Sequence, residues 1–248
     1  NELISKMADV IHHRGPDKTG FIRFDHKLGN IKIEDNISNI SNDYSLTSAA
    51  GFKRLSIRDK SDNGNQPMVA QNNNSFICFN GEIYNTDFLR NKLSKKSYEL
   101  RGSSDTEIIL EYFLEFGIED LSRSIEGMYG IFLYDSLNKE IFILRDRFGI
   151  KPLYFSNVKG NIIIASEIKS ILEHPEFKFN VNYSCFDEFL KFRYVSPPLT
   201  LIKGVYQLKP GSLIRINKNL EIFEKINLWE DNINLTKNSI PLNKIIEK

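Results

Sequence analysis

Cysteine is scarce. The chain holds only Cys78 and Cys185, which excludes a secreted scaffold held by disulfides and makes a reducing cytoplasm the expected location. No apolar run approaches the roughly 18 residues that span a bilayer, and no signal-peptide pattern opens the sequence, so no membrane partner is expected. Charge of one sign is lacking as well. Thirty-three Lys and Arg stand against 32 Asp and Glu, a net charge of +1. Without a basic field, nucleic acid is not an expected partner. His12 and His13 have no companions at ligand spacing, so no metal site is expected. No internal repeat of solenoid period is present.

What remains is an ordinary globular composition, 41% hydrophobic and 26% charged over 248 residues. That length suits one large domain, or one domain and part of another. Such a chain buries about three quarters of its unfolded surface and needs no disulfide or metal staple.

Leu3, Ile4, Met7, Val10 and Ile11 recur at helical spacing and predict an amphipathic helix over 2–12. His13-Arg14-Gly15-Pro16-Asp17 ends it. Phe21–Phe24 and Ile31–Ile33 read as short strands, and the polar stretch 34–45 as a surface loop. Phe76–Phe79 reads as a strand that stops at Asn80-Gly81, a pair suited to positive φ in a tight turn. Phe88, Leu89 and Leu93 predict a short helix. Ser104 followed by Glu107 resembles a capping box opening a helix that ends near Gly117, with another short helix over 119–125. Strands follow at 130–134 and 141–145, then a hairpin at 153–156 and 161–166 around Gly160. Helices are expected at 168–172 and 186–192. Strands are expected around Leu201 and Leu213, with turns at Gly204 and Pro210-Gly211. Hairpin-joined strands in runs, with helices between the runs and no regular βαβ alternation, predict an α+β domain. Residues 227–240 read as a linker, and Leu242–Lys248 as the opening of a further helix.

Several short motifs occur in a telling order. They are His13-Arg14-Gly15-Pro16-Asp17, Arg54-Leu55-Ser56-Ile57, Asn80-Gly81-Glu82-Ile83-Tyr84-Asn85 and Ser104-Asp105-Thr106-Glu107. Arg145-Asp146-Arg147-Phe148-Gly149-Ile150-Lys151-Pro152-Leu153-Tyr154 and Ala165-Ser166-Glu167-Ile168-Lys169 complete the series. Together they resemble the class II glutamine amidotransferase domain, and among its members the glutaminase half of asparagine synthetases, from about His13 to Trp229. The continuation of Asn80-Gly81 as Glu-Ile-Tyr-Asn separates this resemblance from the aminotransferase that makes glucosamine 6-phosphate and from the amidophosphoribosyltransferase. Val195-Ser196-Pro197-Pro198 and Leu208-Lys209-Pro210-Gly211 fit the same family.

The resemblance implies an N-terminal-nucleophile hydrolase fold, a four-layer αββα sandwich of two antiparallel sheets. It also implies a chemistry. The thiol of an N-terminal Cys attacks the amide of glutamine, and its own α-amino group, with a pKa of about 7.7–8.0, serves as base. Asn80 would offer its side-chain amide, and Gly81 its backbone N–H, to the developing oxyanion, each such donor worth roughly 2.7–4 kcal/mol. Arg54 would hold the glutamine α-carboxylate through its planar fork. Asp105 would hold the α-ammonium with Glu82 beside it, and Arg14 would brace the nucleophile loop. The expected partners are glutamine and a C-terminal synthetase domain of the same protein, with homodimers common in the family. No cofactor is expected in this domain, and ATP and Mg in the synthetase domain.

Taken singly, each motif has a plainer reading. Asn80-Gly81 alone is usually a hairpin turn, Ser104-Asp105 a helix cap, and an arginine such as Arg54 a surface charge. Arg145-Asp146-Arg147 reads as a charged turn pinning neighbouring loops even within the family, and Cys78 as a small buried apolar residue.

The sequence departs from the family pattern in three places. No N-terminal Cys is present, and neither Cys78 nor Cys185 carries a free α-amino group. Phe52 stands where the family commonly has His. The Ser-Gly-Gly-x-Asp-Ser pyrophosphate loop of a synthetase domain is missing. The expectation is therefore a fragment without glutaminase activity of its own. Residues 1–226 would form the amidotransferase domain without its first strand, and 227–248 a linker and the start of the synthetase domain. The alternatives are a glutaminase-inactive relative of the β-lactam synthetase kind, or an amidotransferase acting on another carboxylate in surface polysaccharide synthesis.

Overall fold

The computed structural model describes residues 2–34, 46–56, 61–95 and 100–226. All but the first residue of the predicted loop 34–45, Ile57, and the linker and helix predicted for 227–248 lie outside them. In chain order the strands are β1 (Lys18–Phe24), β2 (Ile31–Glu34), β3 (Ser48–Arg54), β4 (Met68–Val69), β5 (Phe76–Ile83) and β6 (Gly127–Asp135). They continue as β7 (Glu140–Arg145), β8 (Tyr154–Val158), β9 (Asn161–Ala165), β10 (Val205–Gln207), β11 (Ser212–Ile216) and β12 (Ile222–Ile226). The helices are α1 (Glu2–Asp9), α2 (Thr86–Ser94), α3 (Asp105–Ser124), α4 (Ile168–Leu172) and α5 (Phe186–Phe192).

Period-two alternation in the central strands explains the layering. On β6, Tyr129, Ile131 and Leu133 point to one side and pack with Leu89 and Leu93 of α2 and Ile108, Ile109 and Tyr112 of α3. The intervening Phe132 and Tyr134 point to the other side and meet Ile22 and Phe24 of β1 and Ile162 and Ile164 of β9. On β9 the alternate residue, Ile163, faces outward onto Ile171 of α4, with Met7 of α1 beside it. The order is thus helix, sheet, sheet, helix. Among the described residues the first sheet has six strands in the order β12-β11-β7-β6-β5-β4. The second β layer consists of two three-stranded pieces, β2-β1-β3 and β10-β8-β9. Every strand pair among the described residues is antiparallel.

Most expected elements appear, and the exceptions have physical reasons. Asn80-Gly81 is no turn. β5 runs straight through it, with Asn80 opposite Gly130 and Gly81 opposite Tyr129, because the ladder with β6 supplies partners on both sides of the pair. Glycine is needed at 81 for space rather than for positive φ, since a Cβ there would lie 2.2 Å from the Met128 carbonyl oxygen. Ser104 does cap α3, accepting from the Thr106 N–H at 3.2 Å. Glu107 does not close the capping box. Its carboxylate takes the backbone N–H groups of Arg101 and Gly102 and the Arg101 Nε instead. The break expected near Gly117 is real: at φ 80° and ψ 172° it interrupts α3. The strand expected around Leu201 is only an isolated bridge between Val181 and Ile202. The strand itself, β10, lies beyond Gly204. β3, β4 and β12 give no clear sequence signal. In β3 the run Ser-Ala-Ala-Gly-Phe-Lys-Arg has few β-branched or apolar residues, and pairing with β1 creates the strand.

Candidate active site

One cavity of about 810 Å³ runs between the two β layers. Arg14, Arg54, Asn80, Gly81, Glu82 and Asp105 all line it, so every candidate residue named from the sequence comes to one space. They arrive from different elements. Asn80, Gly81 and Glu82 lie on the second half of β5, Arg54 ends β3, Asp105 opens α3, and Arg14 ends a short 3-10 turn after α1.

Each charged residue is held in place. Arg54, 8% exposed, donates from Nη1 to the Ser61 carbonyl at 2.9 Å and to Asn65 Oδ1 at 2.8 Å. Asp105 accepts from the Thr106 N–H at 3.0 Å and the Ile83 N–H at 3.4 Å. The second bond ties it to β5 directly after Glu82. Arg14 reaches the Ser166 carbonyl at 3.4 Å and Glu167 Oε1 at 3.3 Å, and His13 Nε2 lies 3.0 Å from the same carboxylate. Burial pushes the Glu167 carboxyl up, but Lys169 and His13 outweigh it and hold its pKa below the usual value. Arg14 therefore braces the turn after α1 against the chain following β9.

Apolar residues also line the cavity. Phe24, Ala50, Phe132, Ile162 and Ile216 are among them, together with Thr47 and His26. Two strand edges border it. β3 pairs only with β1, and β9 only with β8, among the described residues. Residues 47–56 and 160–162, 164–166 supply much of the wall. Phe52 lines the cavity too. Cys78, two residues before Asn80, also faces it. Desolvation pushes its thiol up to about 12, so it keeps its proton at neutral pH and is a poor nucleophile. Cys185 is buried, and Asn182 Nδ2 donates to its Sγ at 3.1 Å. Among the described residues no cluster of His, Cys, Asp and Glu could hold a metal ion.

Two residues escape a reading of the sequence. Asn65 and Gln66 sit in a turn-rich stretch with no pattern that singles them out, and their importance rests on what their side chains reach. Arg145-Asp146, by contrast, behaves as the sequence suggested. Asp146, 0% exposed, accepts from the N–H groups of Tyr129, Phe148, Ile150 and Lys151. Arg145 donates to the carbonyls of Gly149, Lys151 and Leu208. Neither lines the cavity.

Comparison with known proteins places the family and the fold. The family model of the glutamine amidotransferase domain matches residues 36–226. The chain is 31% identical over 221 residues to asparagine synthetase (glutamine-hydrolyzing) 1 of Bacillus subtilis, covering 89% of this chain and 31% of that protein. Asparagine synthetase (glutamine-hydrolyzing) 2 of the same organism is 35% identical over 181 residues, 73% of this chain and 21% of that protein. The amidase chyE of Penicillium rubens is 30% identical over 230 residues, 92% of this chain and 30% of that protein. The chain thus spans about a third or less of these relatives. Among solved structures, glutamine phosphoribosylpyrophosphate amidotransferase from B. subtilis superposes with a TM-score of 0.60 at 18% identity, over 88% of this chain and 44% of that one. An allosteric regulatory enzyme of purine biosynthesis gives 0.63 at 18% identity, over 90% and 45%. These two support the layered N-terminal-nucleophile fold. The chain belongs to the glutamine amidotransferase domain family, and its sequence matches the corresponding part of asparagine synthetases.

Proposed function

We propose that this domain hydrolyses glutamine to glutamate and ammonia within a longer, asparagine synthetase-like protein. The observation that carries this reading is the convergence of Arg54, Asn80, Gly81, Glu82 and Asp105 on one cavity bordered by two strand edges. In the proposed complex Arg54 pairs with the α-carboxylate of glutamine and Asp105 with its α-ammonium, with Glu82 beside it. The side-chain amide falls near Asn80 and Gly81. A thiolate attacks the amide carbon, and the carbonyl oxygen takes up negative charge against the Asn80 amide and the Gly81 N–H. The base that took the thiol proton gives it to the amide nitrogen as the C–N bond breaks and ammonia leaves, and water then cleaves the thioester to glutamate and the free thiol. Neither cysteine of the sequence suits the attack, so the reading assigns the nucleophile to a Cys on a strand that would lie between the edges of β3 and β9. Arg14 and Glu167 would brace that end.

The ammonia would pass to a synthetase domain that uses ATP and Mg to amidate aspartate. The cytoplasm suits such chemistry, and among the described residues both cysteines are free thiols and no helix is long and apolar enough to cross a membrane. The test is made on the full-length protein: its N-terminal sequence and intact mass, then ammonia release from glutamine. A leading Cys and equal yields of glutamate and ammonia are expected. Another residue at that position with no ammonia release would overturn the reading and favour a glutaminase-inactive relative.

A further inference from the structure

We propose that Gln66 is the positioning residue that holds the two halves of the glutamine site in register, an inference resting on the glutaminase reading above. β4 pairs with β5 as Met68 opposite Ile77 and Val69 opposite Phe76. Continuing that register places Gln66 opposite Phe79, but Pro67 has no N–H to offer and the backbone ladder stops at Met68. The Gln66 side chain continues it instead. The Phe79 N–H donates to Oε1 at 2.6 Å, and Nε2 donates to the Phe79 carbonyl at 3.1 Å. Because the donor and acceptor of Phe79 are fixed, only one orientation of the amide satisfies both. Nε2 also donates to Thr106 Oγ1 at 3.3 Å.

Each contact sits one residue from a group of the site. Phe79 precedes Asn80, and Thr106 follows Asp105. The residue before Gln66, Asn65, accepts from Arg54. Two adjacent side chains of one loop therefore hold the carboxylate grip directly, the oxyanion donors through Phe79, and the ammonium grip through Thr106. Gln66 is only 9% exposed, so water does not readily replace these contacts. A site built on three separate elements needs such a tie, since displacement by about 1 Å is enough to lose roughly a hundredfold in rate.

The test is made on the full-length protein with Gln66→Glu and Gln66→Met. The first keeps the shape but sets an oxygen against the Phe79 carbonyl, and the second keeps the length without polar atoms. Expected is a roughly ten- to hundredfold fall in kcat for ammonia release, larger for Gln66→Glu, with a smaller rise in KM for glutamine. If Gln66→Glu does not fold, Gln66→Met carries the test. A merely structural role would lower the melting temperature but leave kcat and KM within about twofold of wild type below it, and that outcome overturns the proposal. If the wild-type protein itself releases no ammonia, the glutaminase reading fails separately. Amide hydrogen exchange then decides: faster exchange at Phe79, Asn80 and Gly81 in Gln66→Met supports the positioning role, and unchanged exchange overturns it.

Discussion

Two strands of this domain end in a buried arginine, and each arginine has a buried aspartate serving the same region. Arg145 ends β7 beside Asp146, while Arg54 ends β3 and Asp105, which lines the same cavity, opens α3. Exposure barely distinguishes them, at 3% and 0% for the first pair and 8% for both members of the second. Their surroundings do. Arg145 and Asp146 spend these hydrogen bonds on backbone groups of β6 and of the loops after β7 and before β11, and neither lines the cavity. Arg54 and Asp105 are anchored by a few neighbours yet still line the space where a zwitterionic amino acid would fit. Burial and charge alone do not mark a site. What matters is whether the polar groups are turned inward on the chain or toward a space that a ligand can fill.

The largest effect that sharpens this contrast is expected from Asp146→Ala. It strands four backbone N–H groups and should cost about 3–5 kcal/mol in a urea titration, the range for uncompensated buried groups. A loss under 1 kcal/mol would erase the distinction. Gly81→Ala should follow, at about 1–3 kcal/mol, because the new methyl meets the Met128 carbonyl. Glutaminase activity of the full-length protein should then fall to background. Asp105→Ala should act in the opposite proportion, moving stability by less than about 2 kcal/mol while raising the KM for glutamine roughly ten- to hundredfold. Equal losses in Asp105→Ala and Asp146→Ala would break the comparison.

The smallest effects belong to a third charged neighbourhood, where α2 meets α3. Lys92 Nζ sits 5.2 to 5.6 Å from the ring centres of Phe88, Tyr112 and Phe116. It also donates to Asp120 at 3.3 Å. Lys92→Ala should cost about 1 kcal/mol, as expected for a partly exposed cation over aromatic rings. The hydrogen bond from Tyr112, with Lys92 nearby, holds the Asp120 carboxyl below its ordinary value of 3.8. A depressed carboxyl stabilises the fold above its unfolded pKa, and that part is lost as pH falls through the folded one. The melting-temperature gap between wild type and Asp120→Asn should therefore hold at neutral pH and close below about pH 4.

Much of the fold was legible in the chain itself. Apolar periodicity marked α1, α3, β6, β7 and the hairpin of β8 and β9, because those elements bury a face against a neighbour. The ordered motifs named the candidate residues Arg14, Arg54, Asn80, Gly81, Glu82 and Asp105. Asn80-Gly81 misled as local chemistry because a turn and a strand that must pass close to its neighbour both favour glycine, and only the pairing with β6 tells them apart. β3 escaped notice because its residues acquire strand geometry from β1 rather than from their own preference.

The sequence by itself thus determined the α+β class, the family and the identity of the chemical groups, since each depends on residue type and short-range order. Tertiary structure alone decided that those groups share one cavity, that Arg145 and Asp146 turn away from it, and that Asn65 and Gln66 tie the site together. Those facts depend on pairing between segments far apart in the chain, where register and close approach choose which polar atoms meet.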